Sequence, residues 1–298
     1  MRSRATLLTM TLLAVGWANL AWADGTVMPG TRSLGAGGTL RGAATGNSGP
    51  MLNPSGISLI RAYVADAAYE YGSANQSHGA YASVVDSTSG FNIGGALTYT
   101  FQQSMPKAYP SGKATQSTHL FGGSLSFPLG DVVFLGGSAK YLYWDSDEPD
   151  RLRDAKGFVF DAGLTIRPLP VFSLGLVGYN LANLENDFVP MGFGGGISVN
   201  LFGGLSLLFD SVVYQRVYGD DSRDKTYWIM GGAEYNSQTM AFRLGGGRDG
   251  ISHNGYLSGG ASLVSQVGAV EVALRQDISG DRKSTFVGVS GRLFVPSP

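Results

Sequence analysis

Cysteine is absent from the 298-residue chain, and charged residues make up only 14% of it. Without cysteine the chain has no disulfide framework, no Cys-ligated zinc site and no thiol chemistry. The 21 basic and 22 acidic residues nearly cancel, so the chain lacks the basic excess that binds nucleic acid, and we expect no nucleic-acid partner. Proline is scarce, at 12 residues, and glycine follows no three-residue period, which excludes collagen.

Glycine and aromatic residues are abundant instead. The chain has 45 glycines, 14 tyrosines and 15 phenylalanines, and 43% of its residues are hydrophobic. This glycine content is about twice the average share. With 43% hydrophobic residues, the chain is too hydrophobic to be disordered.

The first 23 residues have the form of a bacterial secretory signal peptide. Arg2 and Arg4 are followed by an apolar stretch over 5–20 and by the small-residue site Ala21-Trp22-Ala23. An uncleaved anchor is the alternative, but it would not need small residues at that place. We therefore expect cleavage, with the mature chain starting near Asp24. Beyond Ala23 no apolar run reaches the roughly 18 residues of a spanning helix, so a membrane location requires a β-barrel.

Alternation of apolar and polar residues dominates from about Arg61 onward. Between 91 and 101 the odd positions are apolar or glycine and the even positions are small or polar; between 158 and 167 the apolar face is even-numbered. This period of two predicts β-strands. The segments run for about 10–14 residues, longer than most soluble strands and long enough to cross a bilayer at a tilt.

We predict an all-β fold, a transmembrane antiparallel β-barrel of about 14 strands (12–14) over residues 61–298. Tight turns at 128–130, 168–170, 202–203 and 236–238 alternate with longer polar connections, as in outer-membrane barrels whose N-terminus lies inside. The predicted strands are 61–72, 77–86, 90–103, 116–127, 131–144, 157–167, 171–181, 189–201, 204–216, 226–235, 239–248, 254–263, 268–276 and 284–295.

Charged residues occur on the polar faces of these strands. On a lipid-facing surface each would cost about 2–4 kcal/mol at the midplane, so we place them in the lumen. Because both signs are present in similar number, we predict a mutually neutralised network of structural ion pairs in preference to substrate contacts. The predicted lumen charges are Asp66, Glu70, Lys140, Asp161, Arg167, Asp210, Arg216, Glu234, Arg243, Glu271, Arg275 and Arg292.

Residues 24–60, here called the hatch, do not alternate and are nearly uncharged. Leu34, Leu40, Leu52 and Ile57 give this segment apolar side chains to bury, so we expect a short plug inside the lumen in preference to a disordered linker. The runs Gly35–Gly38, Arg41–Ala44 and Met51–Ile57 resemble the start of the FadL/toluene-transporter superfamily. In that superfamily a Gly/Ala-rich hatch ends in an N-P-A-G-hydrophobic motif before the first of fourteen strands.

The resemblance assigns the hatch motif to Asn53, Pro54, Ser55 and Gly56, with serine where the superfamily has alanine. It implies an outer-membrane barrel of a Gram-negative envelope through which small hydrophobic molecules pass passively when the hatch permits. The alternative is a PorV-like barrel without transport activity, acting in a secretion, surface-assembly or motility complex. The expected partners are outer-membrane lipids and either a small hydrophobic ligand or a periplasmic or envelope protein.

Enzyme chemistry finds little support in the sequence. Ser252-His253-Asn254-Gly255 is only distantly similar to the His-x-Ser-Asn-Gly run of outer-membrane phospholipase, and adjacency alone does not pair a nucleophile with a base. The acidic run at 145–150 could bind calcium weakly, but a solvated loop is the simpler interpretation. We predict no enzymatic activity, no cofactor and no metal site.

Aromatic residues near strand ends are typical of interfacial girdles. Trp144 and Trp228 are exceptions, because their parity points them into the lumen. The full set is Tyr69, Tyr71, Tyr99, Phe101, Tyr141, Tyr143, Trp144, Tyr227 and Trp228.

Overall fold

The computed structural model describes residues 30–74, 76–104, 115–146, 155–181, 190–215, 225–250, 252–280 and 283–295. The predicted signal peptide and Arg216 lie outside these ranges. Among the described residues, no helix combines the length and the apolar character that crossing a membrane requires.

Fourteen strands account for most of the described chain. They are β1 (Tyr63–Gly72), β2 (Ser77–Asp86), β3 (Gly94–Ser104), β4 (Gln116–Leu129), β5 (Val133–Ser146), β6 (Ala155–Leu169), β7 (Phe172–Tyr179), β8 (Gly192–Asn200), β9 (Leu205–Gln215), β10 (Lys225–Asn236), β11 (Met240–Arg248), β12 (Gly255–Val264), β13 (Gly268–Asp277) and β14 (Thr285–Val295).

The strands form one closed antiparallel barrel in which each strand pairs with its neighbours in sequence. The first and last strands complete the barrel, with Tyr63 opposite Val295 and Gly72 opposite Phe286. Closure leaves no free sheet edge, which is the condition for a sheet to span a membrane. The prediction of a fourteen-stranded barrel is confirmed.

The two ends of the barrel differ in their connections. At one end, the turn end, short connections join β4 to β5, β6 to β7, β8 to β9, β10 to β11 and β12 to β13. At the other, the loop end, most connections are longer. Short periplasmic turns and longer extracellular loops are the usual arrangement of outer-membrane barrels.

Two predicted turns are wrong in detail, because proline continues the strand at both. Leu129 still pairs with Val133, so the turn is 130–132, and Leu169 pairs with Phe172. Proline fits at position 128 because β3 pairs with β4 only as far as Ser126. Beyond that point one side of β4 has no partner strand that needs a backbone N–H.

Side chains alternate between the lipid-facing surface and the lumen as the sequence pattern predicts. Leu97 and Phe158 point outward and are 72% and 59% exposed, whereas Asp161 and Thr165 on β6 point inward and are buried. The lumen of this barrel is filled mostly by the hatch.

The described part of the hatch, residues 30–60, consists of short helical pieces. It contains α1 (Thr31–Gly35), α2 (Gly49–Leu52) and two 3₁₀ turns, Gly46–Ser48 and Pro54–Leu59. Ala36, Leu40 and Leu52 form a small apolar core that packs on Leu208 of β9. The hatch thus has a few apolar side chains of its own and depends on the barrel wall for the rest of its packing.

Candidate functional site: the hatch and the lumen wall

Asn53 joins the hatch to β6. Its Nδ2 donates to the backbone oxygen of Arg41 at 3.1 Å and lies 3.3 Å from both the Leu164 carbonyl oxygen and Thr165 Oγ1. Its Oδ1 accepts from the Ser55 amide at 3.3 Å and from the Ser55 hydroxyl at 2.7 Å, which caps the 3₁₀ turn that follows. The amide side chain is fully buried and uses both its donor and its acceptor group.

The rest of the hatch motif binds the adjacent strands. The Ser55 hydroxyl lies 2.7 Å from Thr165 Oγ1, and the Ser55 carbonyl accepts from Ser126 Oγ at 2.9 Å. Ser58 donates to the Ser126 carbonyl at 3.0 Å and accepts from the Gly94 amide at 3.2 Å. Serine at position 55, where the superfamily has alanine, therefore adds a hydroxyl contact to the wall.

Inward-facing glycines on three consecutive strands make room for the hatch backbone. A methyl group on Gly163 would overlap Oδ1 of Asn53, and one on Gly136 would overlap the Ser55 amide. A methyl group on Gly175 would overlap the Arg41 carbonyl oxygen. Glycine in a strand interior often marks such a close approach of another backbone, and here it lets the hatch lie directly against β5, β6 and β7.

Arg41 forms the second anchor, next to the first, since its carbonyl accepts from Asn53. Its backbone N–H and its Nη1 donate to Asp210 Oδ2 at 2.8 and 3.1 Å. Its Nε donates to the Tyr179 hydroxyl at 2.9 Å, and that hydroxyl donates to the Leu52 carbonyl at 2.6 Å. One arginine therefore ties the hatch to β7 and β9, with its charge balanced by a buried carboxylate.

Arg32 starts a chain of alternating charges that runs along the lumen wall near the turn end. Its Nε and Nη2 donate to the two oxygens of Glu234 at 2.9 and 2.7 Å. Glu234 also accepts from Arg243 at 2.6 Å, and Arg243 lies 3.4 Å from Glu271. Glu271 is 3.8 Å from Arg292, which pairs with Asp66 at 3.0 Å.

This chain places five of the predicted lumen charges in one ion-pair network on β1, β10, β11, β13 and β14, with a hatch arginine at its end. Burial disfavours the charged form of Arg32, but the Glu234 carboxylate more than offsets this and raises the pKa of Arg32 above its ordinary value. Arg32 therefore stays charged, and the contact between hatch and network is ionic.

The other predicted lumen charges lie outside this network. Lys140 pairs with Asp161 between β5 and β6, and Arg275 pairs with Asp249 and Asp277 at the loop end. Asp210 pairs with Arg41, as described above.

Two predicted charges have other surroundings. Arg167 has its guanidinium 5.9 Å from the centre of the Phe134 ring. Glu70 is buried, and its Oε1 has no hydrogen-bond partner among the described residues.

An aromatic cluster covers the loop-end face of the hatch. It consists of Val177, Tyr179, Val212, Tyr214, Trp228, Met230 and Tyr256. The Trp228 and Tyr214 rings meet edge to face at 5.2 Å, and Tyr179 stacks on Tyr214 at 6.0 Å. Tyr256 donates to the Gly37 carbonyl at 2.9 Å, so the cluster and the hatch are directly bonded.

The contact between hatch and wall is tight in this structure. A cavity of about 20 Å³ lies between Thr31 and Met51 of the hatch and Tyr81 and Arg292 of the wall. A space of this size holds about one water molecule. Passage of any larger molecule along this side of the lumen would require the hatch to move.

A larger apolar groove lies on the lipid-facing surface of the barrel. It measures about 980 Å³ and is bordered by Val84, Leu97, Leu125, Phe127 and Phe160. Small outward residues form its floor: Gly95, Gly123, Gly137 and Ala139. Glycine also faces inward at 94, 122 and 136, so the wall between groove and hatch is one backbone thick.

Several residues of this site were missed by the sequence analysis. Trp144 and Trp228 are buried in the lumen as their parity predicts, but Tyr179, Tyr214 and Tyr256 lie there too. The lumen position of Tyr214 was predictable, since Tyr214 has the same parity as Asp210 on the same strand. The role of Arg41 had no such signal, because its partner is 169 positions away.

Comparison with known proteins identifies solved structures that share this fold. No family model matches the sequence, and a search of curated proteins finds no match either. Solved structures do match. The CymD monoaromatic hydrocarbon channel is 12% identical with a TM-score of 0.67, over 90% of this chain and 99% of that one.

Two further structures are similar to the same extent. A Pseudomonas aeruginosa FadL homologue is 12% identical with a TM-score of 0.69, over 90% of this chain and 98% of that one. The Ralstonia pickettii toluene transporter TbuX is 14% identical with a TM-score of 0.68, over 89% and 97%. The fold of this chain is that of the FadL-type outer-membrane barrels.

Proposed function

We propose that the chain is a passive outer-membrane channel for small hydrophobic molecules, closed by its hatch. The aromatic cluster carries this proposal, because it places aromatic rings and aliphatic side chains inside the lumen and directly on the hatch. A molecule entering from the loop end would meet Tyr214 and Trp228 directly above the hatch. Small apolar or aromatic molecules are the class that such a surface attracts.

The hatch is suited to move because much of its contact with the wall is made by small residues. Gly35 lies against Gly260, Gly37 against Gly245, and Gly42 against Gly196. These backbone contacts contain no interlocking side chains. The Asn53 and Arg41 anchors and the Arg32 ion pair hold the hatch at defined points, together with hydrogen bonds from Tyr256, Ser258 and Ser173 to the carbonyls of Gly37, Gly35 and Gly42. Release of these points would let residues 36–44 withdraw from beneath the cluster.

Such passage needs no covalent step and no cofactor, and we infer that the chain is not an enzyme. The thin glycine wall beside the β3–β5 groove offers a lateral route from the hatch motif to the membrane. The axial route is favoured, because the hydrogen-bonded registers between β2 and β6 run without a shift and a lateral route would have to break them.

The test uses Trp228 as a reporter. Trp17 and Trp22 lie in the predicted signal peptide, so a Trp144→Phe variant of the mature chain keeps Trp228 alone. We expect naphthalene to change its fluorescence saturably, and glucose to have no effect. Tyr214→Ala should weaken the naphthalene response, and cells carrying that variant should take up labelled toluene more slowly. Unchanged binding and uptake in Tyr214→Ala would contradict the proposal.

A docking function is the second candidate, and one observation favours it. Phe91, Phe202 and Val267, at three connections of the turn end, are 85%, 92% and 70% exposed. Exposed apolar residues at one end of a barrel are suited to contact a protein partner as well as lipid. Native mass spectrometry of gently extracted protein separates the two functions: a stoichiometric protein partner lost in Phe202→Ser supports docking, and a bare barrel with a bound hydrophobic molecule supports passage.

A further inference from the structure

The outward surface of β3–β6 carries a concentration of aromatic residues toward the loop end. In one row across the four strands lie Tyr99, Phe121, Tyr141 and Phe158, each directly opposite the next. The next row toward the loops contains Phe101, His119, Tyr143 and Lys156 in the same register. We call these eight residues the aromatic platform.

The rings of the platform are in contact with one another. Ring centres lie 4.8 Å apart for Tyr99 and Phe121 and 5.1 Å apart for Tyr141 and Phe158. In the second row His119 lies 5.1 Å from Phe101 and 6.2 Å from Tyr143. Two groups of contacting rings thus lie side by side on the side of the barrel that faces lipid.

The platform is one-sided. On β7–β14, Phe193 and Tyr227 are the only outward aromatic residues near the loop end among the described positions. An aromatic belt that merely anchors a barrel at the interface is distributed around it. The neighbouring strands β1 and β2 add Tyr69, Tyr71 and His78 near the loop end. The accumulation therefore covers six adjacent strands on one side of the barrel and indicates a specific contact there.

Polar groups border the rings on the loop side only. The Tyr99 hydroxyl lies 2.9 Å from His119 Nδ1, and when it donates there, the proton of neutral His119 is on Nε2. Lys156 is exposed beside Tyr143. Next toward the loops come Gln103, Ser117 and Asp145. Apolar rings therefore face the membrane interior, with a cation and hydrogen-bonding groups directly above them.

We propose that the platform binds a phosphorylated glycolipid of the outer leaflet. The lower row would contact its acyl chains, the rings of the upper row would stack on its sugar, and Lys156 with His119 Nε2 would donate to its phosphate. Asp145 would repel that phosphate, so a divalent cation shared by the two groups completes the site. This inference is independent of the proposed channel function.

The experiment measures binding of diphosphoryl lipid A to the folded full-length mature chain in nanodiscs. We expect Lys156→Gln with His119→Gln to raise Kd about tenfold, a change of about 1.4 kcal/mol, and EDTA to weaken binding to the unaltered chain. The matched control is Arg248→Gln with Tyr227→Ala, which removes an exposed cation and an aromatic ring from the opposite side and should leave Kd unchanged. Lys156→Gln alone, at an exposed position, serves if the double variant does not fold.

Several results would overturn the proposal. Phosphatidylglycerol binding as tightly as lipid A would make the surface a general anionic-lipid contact. Displacement of lipid A by millimolar inorganic phosphate would identify a free-phosphate site instead of a headgroup site. An equal loss of affinity in the control variant would show that the platform has no special role.

Discussion

The backbone N–H and the guanidinium of Arg41 donate to the same oxygen of Asp210, at 2.8 and 3.1 Å. This double contact couples the position of the hatch backbone to a charge on β9, so that neither group moves without the other. Arg41 also lies over the Tyr179 ring, with 5.8 Å between the guanidinium carbon and the ring centre. Arg41 thus joins the hatch to the aromatic cluster, in addition to the hydrogen bonds that Tyr179 and Tyr256 donate to hatch carbonyls.

Asp210→Asn should loosen the hatch. The variant leaves a buried guanidinium without its carboxylate, which typically costs about 3–5 kcal/mol. We expect a lower free energy of unfolding and faster proteolysis within residues 36–44. Arg167→Gln is the control, because Arg167 lies over the Phe134 ring and forms no ion pair with the described part of the hatch. Equal proteolysis of both variants would show that the Arg41 contact does not hold the hatch.

Gly163→Ala should displace the hatch motif without harming the barrel. The added methyl group would overlap Asn53 Oδ1, so the hatch has to shift, and single-channel conductance should rise. Gly123→Ala is the matched control on the lipid-facing surface, where the new carbon would lie 4.0 Å from Leu97. We expect the control to conduct like the unaltered protein. If Gly163→Ala conducts no more than the unaltered protein, the close packing at Gly163 is not needed for closure.

Asn53→Asp and Ser55→Ala should differ sharply in effect. The aspartate places an acceptor where Asn53 Nδ2 now donates to the Arg41 carbonyl, and an unmatched buried charge is costly. Ser55→Ala removes only a hydroxyl, worth about 1 kcal/mol. Urea unfolding in lipid vesicles measures both. Similar losses of stability would contradict the role assigned to the Asn53 amide.

Glu234 should show strong coupling to Arg32. Glu234→Gln removes the carboxylate that Arg32 and Arg243 share, and Arg243 keeps its contact with Glu271. Beside Arg32→Met, the same change leaves no arginine that had Glu234 as its only ion-pair partner. In a double-mutant cycle we expect an interaction free energy of about 1–3 kcal/mol. If the two single variants lose stability additively, the bidentate contact between Arg32 and Glu234 has no interaction free energy of its own.

The barrel was predictable from sequence because alternation is a local property. Parity alone places Leu97 outside and Asp161 inside, and the run Asn53–Gly56 marks the end of the hatch. Boundaries were harder to predict: Pro128 looks like a turn residue, but the strand continues to Leu129 because the neighbouring strand has already ended.

Partners across the lumen could not be predicted. Parity shows that Glu234 and Asp210 face inward, but not that Arg32 and Arg41 meet them, because those residues are separated by 202 and 169 positions. The path of the hatch through the lumen determines these pairs, and that path depends on glycine contacts that appear only when the barrel is closed. The aromatic cluster was predictable in part. Parity shows that its members face the lumen, but not that Tyr256 bonds to Gly37.

The central claim is that hydrophobic molecules pass only when the hatch moves, and a reversible lock tests it most directly. A carbon added at Gly35 would lie 3.4 Å from Cβ of Ala273 on β13 and 3.1 Å from Cα of Gly260, so a cysteine there fits tightly. The first distance is close to the separation that a disulfide requires, and the chain has no cysteine to interfere. In cells carrying Gly35→Cys with Ala273→Cys, we predict that oxidation stops toluene uptake and that reduction restores it, while each single cysteine variant is insensitive to both treatments. Equal uptake in the oxidised and reduced states, with the disulfide verified by mass spectrometry, would contradict the account.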